Sequence, residues 1–412
     1  MPEAAGTAVT EPELARIRRR TLWVLSLGQV LGGVAFGATI SLGAILATDI
    51  SGDETFSGLA TALVTLGTAA FAVPLASFAR RRGRRPALAS GMLLALTGVL
   101  VVVLAAGIRS FPVLLLGFAL IGAGQAANLQ SRFAAADLAT VSSRGRDLSI
   151  VVWATTIGAV LGPNLVGPGQ ALGDSLGMPA LTGPYLFTVV AQVLAVALYL
   201  VALRPDPLLL AQRIAAAPTT VAARVAGPDR PLLARYAIVA IAGAHGVMVA
   251  VMAMTPVHLM HHGASIEVVG LTISLHIAGM YALSPVFGVL ADRWGRIATV
   301  LLGQGVLAAS LLAAALGQAS TVAVTVALVL LGLGWSASTV AGAALLVEAS
   351  SEDRRTRRQG RSDLAMSLVG GVGAILAGVV LSWIGYGGLA LVALVIVVAV
   401  LVLTPYARRA SA

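Results

Sequence analysis

Long apolar runs alternate with short polar segments from residue 21 to residue 406. Each run is about 20 residues long, the length that an α-helix needs to cross the hydrocarbon core of a bilayer. The runs lack the strict alternation of apolar and polar positions that marks membrane β-strands. The pattern therefore predicts an all-α membrane protein with twelve transmembrane helices. The predicted spans cover residues 21–48, 55–79, 86–107, 111–136, 147–169, 181–203, 233–257, 266–290, 297–317, 321–348, 363–384 and 387–406.

A segment rich in proline and arginine divides the spans into two groups of six. We expect residues 21–203 to form the N-terminal six-helix half and residues 233–406 the C-terminal half. Residues 204–232 are then a cytoplasmic linker. Residues 1–20 are expected to be a disordered cytoplasmic tail, and residues 407–412 a short cytoplasmic tail.

The two halves repeat each other. Glycine motifs of the first half recur in the same order in the second, at offsets of 210 to 215 residues. The pairs are Gly83-Arg84-Arg85 with Gly295-Arg296, Gly122 and Gly124 with Gly332 and Gly334, and Gly145 and Gly158 with Gly360 and Gly373. Parallel repeats of six helices are typical of transporters that bind their substrate between the halves, near the bilayer midplane.

The placement of the charged residues indicates how the chain crosses the membrane and does not indicate a binding partner. Only 11% of the residues are charged, against about 25% in soluble proteins. All 27 basic residues are Arg, and their bursts follow every second span. Cytoplasmic loops collect such charge, so both termini are expected in the cytoplasm and the protein in the plasma membrane (the bacterial inner membrane). The net charge of +10 therefore does not indicate nucleic-acid binding.

The loop between spans 8 and 9 carries the motif Gly288-Val-Leu-Ala-Asp292-Arg293-Trp-Gly295-Arg296. This motif closely resembles the loop signature of the major facilitator superfamily, and the resemblance extends over nearly the whole chain. The copy in the first half keeps Arg81, Gly83, Arg84 and Arg85 but has Ala76 and Arg80 where the family usually has Gly and Asp.

The resemblance implies that these loops latch a cytoplasmic gate, with Asp292 at the positive N-terminus of span 5. Other charged residues near cytoplasmic helix ends are expected to form gating salt bridges, with a proton relay as the alternative. They are Arg132, Asp137, Glu348 and Asp363. Span 5 also holds a glycine motif similar to the antiporter motif of drug exporters, which indicates either tight packing or export. Its residues are Gly158, Gly162, Pro163 and Gly167. Phe118 stands where such exporters usually place an Arg in span 4.

Histidine and methionine are concentrated in one stretch. All five His and five of the nine Met fall between His245 and Met280, and several follow a helical i,i+4 spacing. Imidazoles and thioethers suit copper, and the absence of Cys leaves them as the only soft ligands. The candidate copper ligands are Met248, Met252, Met254, His258, His261, His262, His276 and Met280.

The pairs Met248-xxx-Met252 and His276-xxx-Met280 resemble the motifs of the CcoA-like copper importers, a branch of the major facilitators. That resemblance implies copper import by alternating access. Two alternatives stay open: proton-coupled efflux of lipophilic drugs or metabolites, and uptake of an organic molecule such as riboflavin. Met can also be simple core packing. The predicted pocket residues are Gln29, Gln125, Asn128, Trp153, His245, Tyr281 and Trp335.

No enzymatic activity is expected, because the chain has no catalytic cluster and no Lys for a nucleotide-binding loop. We expect no cofactor, copper being a candidate substrate, and a monomer whose partners are the bilayer and its substrate.

Overall fold

A computed structural model describes residues 10–53, 56, 58–216 and 229–411, and these residues form helices and no β-strand. The fourteen helices are α1 (Glu11–Ser51), α2 (Leu59–Arg82), α3 (Arg84–Ile108), α4 (Phe111–Ala135), α5 (Arg144–Asn164), α6 (Val166–Ser175), α7 (Tyr185–Ala202), α8 (Pro207–Ala216), α9 (Pro231–His261), α10 (Ile266–Tyr281), α11 (Ser284–Arg293), α12 (Arg296–Leu316), α13 (Thr321–Glu348) and α14 (Glu352–Ser411).

The all-α membrane fold predicted from the hydropathy pattern is confirmed. In the described part of the chain, nine helices are long and apolar enough to cross a membrane, and ten if a bent pair is one span. That pair is α5 and α6, which meet at 50° just after Pro163. Helix α1, with 41 residues, is also long enough to span. Helix α14 has 60 residues, about 90 Å, so its break at Gly385 divides it into two spans.

Three segment boundaries differ from the sequence predictions. Helix α1 begins at Glu11, inside the predicted disordered tail, and α8 lies in the predicted linker. These two segments stabilise each other, because Leu14 and Ile17 pack against an apolar cluster formed by Leu138, Leu210, Ala211 and Ile214. At the other terminus α14 continues to Ser411, and its Ala407 is buried in the core. Short segments beyond a predicted span are therefore helical where they find apolar surface to cover.

The halves meet along two helix pairs, α2 with α14 and α5 with α11. Small residues allow both approaches: a Cβ at Gly145 would lie 2.5 Å from the carbonyl oxygen of Gly288, and one at Gly360 would lie 2.5 Å from the Cβ of Ala76. An apolar cluster also crosses between the halves, with Phe133 of the first half among residues of the second.

We call the end of the bundle at which α3, α5, α12 and α14 begin the Arg-rich end. The first turns of these helices carry Arg84, Arg144, Arg296 and Arg355, and all of these side chains are buried or nearly so. The other end is called the far end. Gly385, between the two arms of α14, lies at the far end.

Gly385 should be required for the turn between the arms of α14. Its φ of 71° and ψ of −178° belong to a region that is essentially restricted to glycine. We expect Gly385→Ala to lower the free energy of unfolding by about 1–3 kcal/mol. The measurement is denaturation of the purified protein by SDS, followed by tryptophan fluorescence.

Gly378→Ala is the matched control. A Cβ at Gly378 or at Gly385 meets no atom within 4 Å, so the two substitutions differ in backbone conformation and not in space. The helical Gly378→Ala should be neutral or stabilising by up to about 1 kcal/mol. Equal losses in the two variants would contradict the conformational argument.

Candidate functional site

Aromatic and imidazole side chains of the second half form one contact group near the centre of the bundle. The indole Nε1 of Trp335 on α13 donates to Nδ1 of His245 on α9, over 3.1 Å. The ring of Tyr281, at the end of α10, meets the Trp335 ring edge-on with centroids 5.7 Å apart. Because indole N–H is a donor only, His245 is the neutral tautomer with its proton on Nε2. Gly370 of α14 lets this imidazole pack closely against the helix backbone.

The first half supplies amide groups. Gln29 on α1 donates through Nε2 to the hydroxyl of Thr155 on α5, over 3.2 Å. Asn128 on α4 packs against Gly32 of α1. Both side chains are at least nine-tenths buried, and the oxygens of both amides have no hydrogen-bond partner among the described residues. Buried acceptors of this kind are normally paired, so they indicate an unfilled bond to water or ligand.

Two further predicted pocket residues lie on the same helices. Gln125 is half-buried on α4, one turn before Asn128. Trp153 is 42% exposed on α5, four residues beyond Ser149, which contacts α11. Residues four apart share a helix face, so Trp153 points towards the second half.

An ion pair between the halves lies beside this group, towards the Arg-rich end. Nη2 of Arg132 on α4 donates to Oδ1 of Asp363 on α14, over 2.7 Å, and the two side chains are 4% and 0% exposed. The positive charge of Arg132 lies close enough to His245 and Tyr281 to disfavour a positive charge on the imidazole and to favour a negative charge on the phenol oxygen. Nε of Arg132 and Oδ2 of Asp363 lack a partner among the described residues. The pair is therefore buried but only partly satisfied, a costly arrangement inside a membrane protein.

The Arg-rich end is closed by the loop motif of the second half. Both carboxylate oxygens of Asp292 accept from the backbone N–H groups of Gly145 and Arg146, each over 2.9 Å. This is the contact expected from the sequence, an anion at the positive end of α5. Arg296 pairs with Glu348 over 2.9 Å and donates to the carbonyl of Val141.

The first half repeats part of this arrangement. Arg84 pairs with Asp137 over 2.8 Å, and its Nη2 reaches across to Oε1 of Gln359 on α14, over 2.6 Å. Burial raises the pKa of the Asp137 carboxyl, and the charge of Arg84 opposes that shift. In this half, Arg80 stands at the position that Asp292 occupies in the second half. The contact with the other half is therefore made by the side chain of Arg84 and not by an Asp.

The remaining residues of the two loop motifs shape the loops or lie beside them. Gly83 and Gly295 have φ values of 95° and 98°, which explains the glycine at both positions. Arg81 and Arg293 are exposed at the Arg-rich end, and no salt bridge is found for either among the described residues. Gly288 packs against Gly145 and Ser149.

The glycines of span 5 favour the packing interpretation. A Cβ at Gly158 would lie 2.6 Å from the carbonyl oxygen of Val30 and 2.7 Å from Cα of Gly33, so α1 and α5 touch backbone to backbone. Gly162 is buried and Gly167 is exposed. The side chain of Pro163 lies outside the described residues.

The structure places the predicted copper ligands in two regions, and the four methionines share one of them. Met248 and Met280 are buried in an apolar cluster, and Met252 and Met254 pack against it. The His276 imidazole is fully buried, with Nδ1 2.8 Å from the carbonyl oxygen of Leu328 on α13.

The other three histidines among the candidate copper ligands lie at the far end. His258 is 2.8 Å from the carbonyl oxygen of Gln318 and stacks on Tyr386 with centroids 4.2 Å apart. His262 packs on His258, and His261 is exposed. No group of three or more His and carboxylate side chains suited to a metal ion occurs in the part of the chain that the structure describes.

Sequence reasoning missed three contacts at the Arg-rich end. Arg18 pairs with Asp147 through two hydrogen bonds, and Arg18 lay in the tail predicted to be disordered. Apolar Leu14 and Ile17, three residues apart, were the available signal of a helix there. Gln359 and Asp206, which accepts from the backbone of Arg85, carry no pattern that distinguishes them.

These features define a class of protein: a duplicated bundle of apolar helices long enough to cross a membrane, with polar contacts that join its two halves towards one end. The sequence model of the Major Facilitator Superfamily matches residues 25–267 and 236–411. The chain belongs to this superfamily and is a transporter of the major facilitator type.

Relatives of this chain support the assignment. An uncharacterized MFS-type transporter of Bacillus subtilis, YddS, is 38% identical over 379 residues, which cover 90% of this chain and 87% of the relative. The riboflavin transporter RfnT of Brucella anthropi is 30% identical over 413 residues, covering 97% and 99%. The human organic anion transporter MFSD10 has the same fold, with a TM-score of 0.72 at 15% identity, covering 94% of this chain and 99% of that one.

The Asp292 latch should control how often the Arg-rich end opens. Asp292→Ala removes two charge-assisted hydrogen bonds, each worth about 1.5–3 kcal/mol. The chain has no cysteine, so Ser149→Cys, buried beside Gly288, provides the only thiol. In that background we expect Asp292→Ala to accelerate maleimide labelling at least about tenfold.

Asp353→Ala is the control for this measurement, because the Asp353 side chain at the same end is 74% exposed. It should leave the labelling rate unchanged. An unchanged rate in the Asp292 variant would show that other contacts keep the end closed.

Proposed function

We propose that this transporter carries a planar organic solute that binds between its halves, on the group formed by Trp335, His245 and Tyr281. The single observation that carries the proposal is the contact of these three rings across α9, α10 and α13, next to an ion pair between the halves. Flat aromatic surfaces bind flat rings, and fixed polar groups orient them.

The amides of the first half complete the proposed site. The unpartnered oxygens of Gln29 and Asn128 would accept hydrogen bonds from the edge of a heteroaromatic ring. The riboflavin transporter related to this chain supports a solute of this chemistry. Riboflavin is therefore the first compound to test.

Copper import, predicted from the sequence, receives less support. The thioethers lie in an apolar cluster, and the His276 Nδ1 contacts a backbone carbonyl, so its buried Nε2, which has no partner among the described residues, is the one ring nitrogen left for a ligand. His258 and His262 lie at the far end and contact each other and Tyr386. These positions divide the candidate ligands among different surroundings, and a copper site needs them to converge.

The Arg-rich end is the proposed cytoplasmic end, because cytoplasmic loops collect arginine. Hydrogen bonds of Asp292, Arg84 and Arg296 join the halves at this end, so the proposed solute site is closed on that side. Transport would require these bonds to break while the halves rock about the site, as alternating access demands.

Asp363 is the proposed coupling residue. It is fully buried, contacts the other half through Arg132, and has one oxygen free of partners among the described residues. A proton on this carboxyl would neutralise it and weaken its attraction to Arg132. Proton binding would then loosen a contact between the halves directly beside the solute site.

The Trp335 ring should be needed for solute binding. We expect Trp335→Ala to weaken riboflavin binding at least about tenfold through the lost ring contact. Trp335→Phe keeps a ring but removes the donor to His245, a hydrogen bond worth about 0.5–1.5 kcal/mol, so a loss of about two- to tenfold is expected. Quenching of riboflavin fluorescence by the purified protein and uptake into proteoliposomes measure these losses.

Trp383→Phe is the matched control, because Trp383 is 79% exposed on α14 and should not contact the solute. Copper accumulation by cells that express Met252→Ala or His276→Ala tests the copper hypothesis. That hypothesis expects accumulation to fall, whereas our proposal expects no change. Full riboflavin binding by Trp335→Ala, or loss of copper accumulation in those cells, would contradict the proposed function.

Asp363→Asn should remove the response of transport to a pH gradient. The amide cannot bind the proton that a carboxylate binds, so uptake into proteoliposomes should no longer rise when a gradient is imposed. Exchange of solute at equal pH should persist, because it needs no net proton movement. Asp353→Asn, on an exposed side chain of the same helix, is the control.

Removing one partner of a buried ion pair can unfold a protein. The double variant Arg132→Gln with Asp363→Asn removes both charges and therefore avoids an isolated buried cation. A gradient response that survives in both variants would exclude Asp363 as the coupling residue.

A further inference from the structure

An apolar groove lies apart from the solute site, between α9 and the two arms of α14. Its volume is about 380 Å³. Aliphatic side chains and glycines line it, and none of its lining residues is charged or polar. Residues that form its walls include Gly246, Val372, Leu376, Val392 and Ile396.

Close helix packing on one side creates the groove. A Cβ at Gly373 would lie 3.3 Å from the carbonyl oxygen of Gly246, and one at Gly246 would lie 2.5 Å from Cγ1 of Val369. Helix α9 therefore touches the first arm of α14 nearly backbone to backbone. The second arm, with Val392 and Ile396, forms the opposite wall of the groove.

The groove faces the bilayer. Val372, Leu376 and Val392 are 53%, 55% and 46% exposed, although all three lie well inside membrane-spanning helix. A wall made only of aliphatic side chains and glycines indicates contact with lipid, because a water-filled path would be lined by polar side chains. A bilayer-facing recess left empty would lose dispersion contacts on all of its walls.

The dimensions match an acyl chain. The first arm of α14 lines the groove from Leu368 to Val380, a rise of about 18 Å at 1.5 Å per residue. One leaflet of hydrocarbon is about 15 Å thick, half of the bilayer core. A chain lying in the groove would therefore be covered along most of its length.

We propose that this groove is a binding site for one acyl chain of a bilayer phospholipid. The chain would fill the gap between the arms of α14 and pack against the glycine contact with α9. The site is independent of the solute and of the proposed function, because no residue of the solute group lines it.

Photocrosslinking tests the proposal. The full chain is reconstituted into phosphatidylglycerol vesicles that contain a small fraction of phosphatidylcholine with a diazirine in the middle of one acyl chain. After irradiation, labelled residues are identified by mass spectrometry. We expect labelling of Val372, Leu376 and Val392 at least about tenfold above the comparison surface, because burial of a few more methylene groups favours the groove by such a factor.

The comparison surface is the exposed face of α3. Its Leu93, Leu100 and Leu104 are 53%, 54% and 57% exposed, close to the values in the groove. Equal labelling of the two surfaces would show ordinary lipid contact and overturn the proposal.

Filling the groove provides the second test. Leu376→Trp should lower labelling of Val392 and Ile396 to the level of α3, whereas Leu100→Trp, at an equally exposed position, should not. If Leu376→Trp does not fold, Val392→Trp takes its place. This substitution fills the groove from the other arm and should lower labelling of Val372. Unchanged labelling in a folded groove-filling variant would overturn the proposal, whatever the variants do to riboflavin binding.

Discussion

The closed Arg-rich end depends on charges that are buried between helices and must therefore be paired. A carboxylate or guanidinium removed from water is costly unless a partner of opposite charge or a hydrogen-bond donor replaces the water. Asp292 finds backbone N–H groups at the start of α5, and Arg84 finds both Asp137 and Gln359. Each bond also fixes the position of a helix end. The contact between the halves at this end is a consequence of this pairing.

The two halves are duplicated, but their latches differ in chemistry. In the second half, glycine and aspartate at 288 and 292 allow close approach and an anionic bond to a helix end. In the first half, Ala76 provides the close approach to Gly360, and the buried arginine at 84 reaches across instead. An arginine–amide contact is weaker than an anion bound to two N–H groups. The two attachments therefore differ in chemistry: backbone N–H groups bind a carboxylate between α5 and α11, whereas the side chains of Arg84 and Arg132 reach α14.

Hydropathy was sufficient for the fold because a bilayer admits few alternatives to apolar helices. The Asp292 contact was predictable from its motif, since the motif describes a local loop and a helix end. Contacts between helices that are distant in the sequence were harder to predict. The spacing of Met248 and Met252 correctly implied a shared face, but it carried no information on whether that face meets a cavity or a core. His276 shows the same limit, because its partner is a backbone carbonyl 52 residues away.

Gly385 joins the two arms of α14 within a single residue, without a loop. Asp363 lies 22 residues before it, about 33 Å along the first arm, and Tyr386 follows it immediately and stacks on His258. The first arm has no break between these two residues. A shift of Asp363 along the axis of this arm would therefore also shift Gly385, the neighbour of Tyr386, by a similar distance.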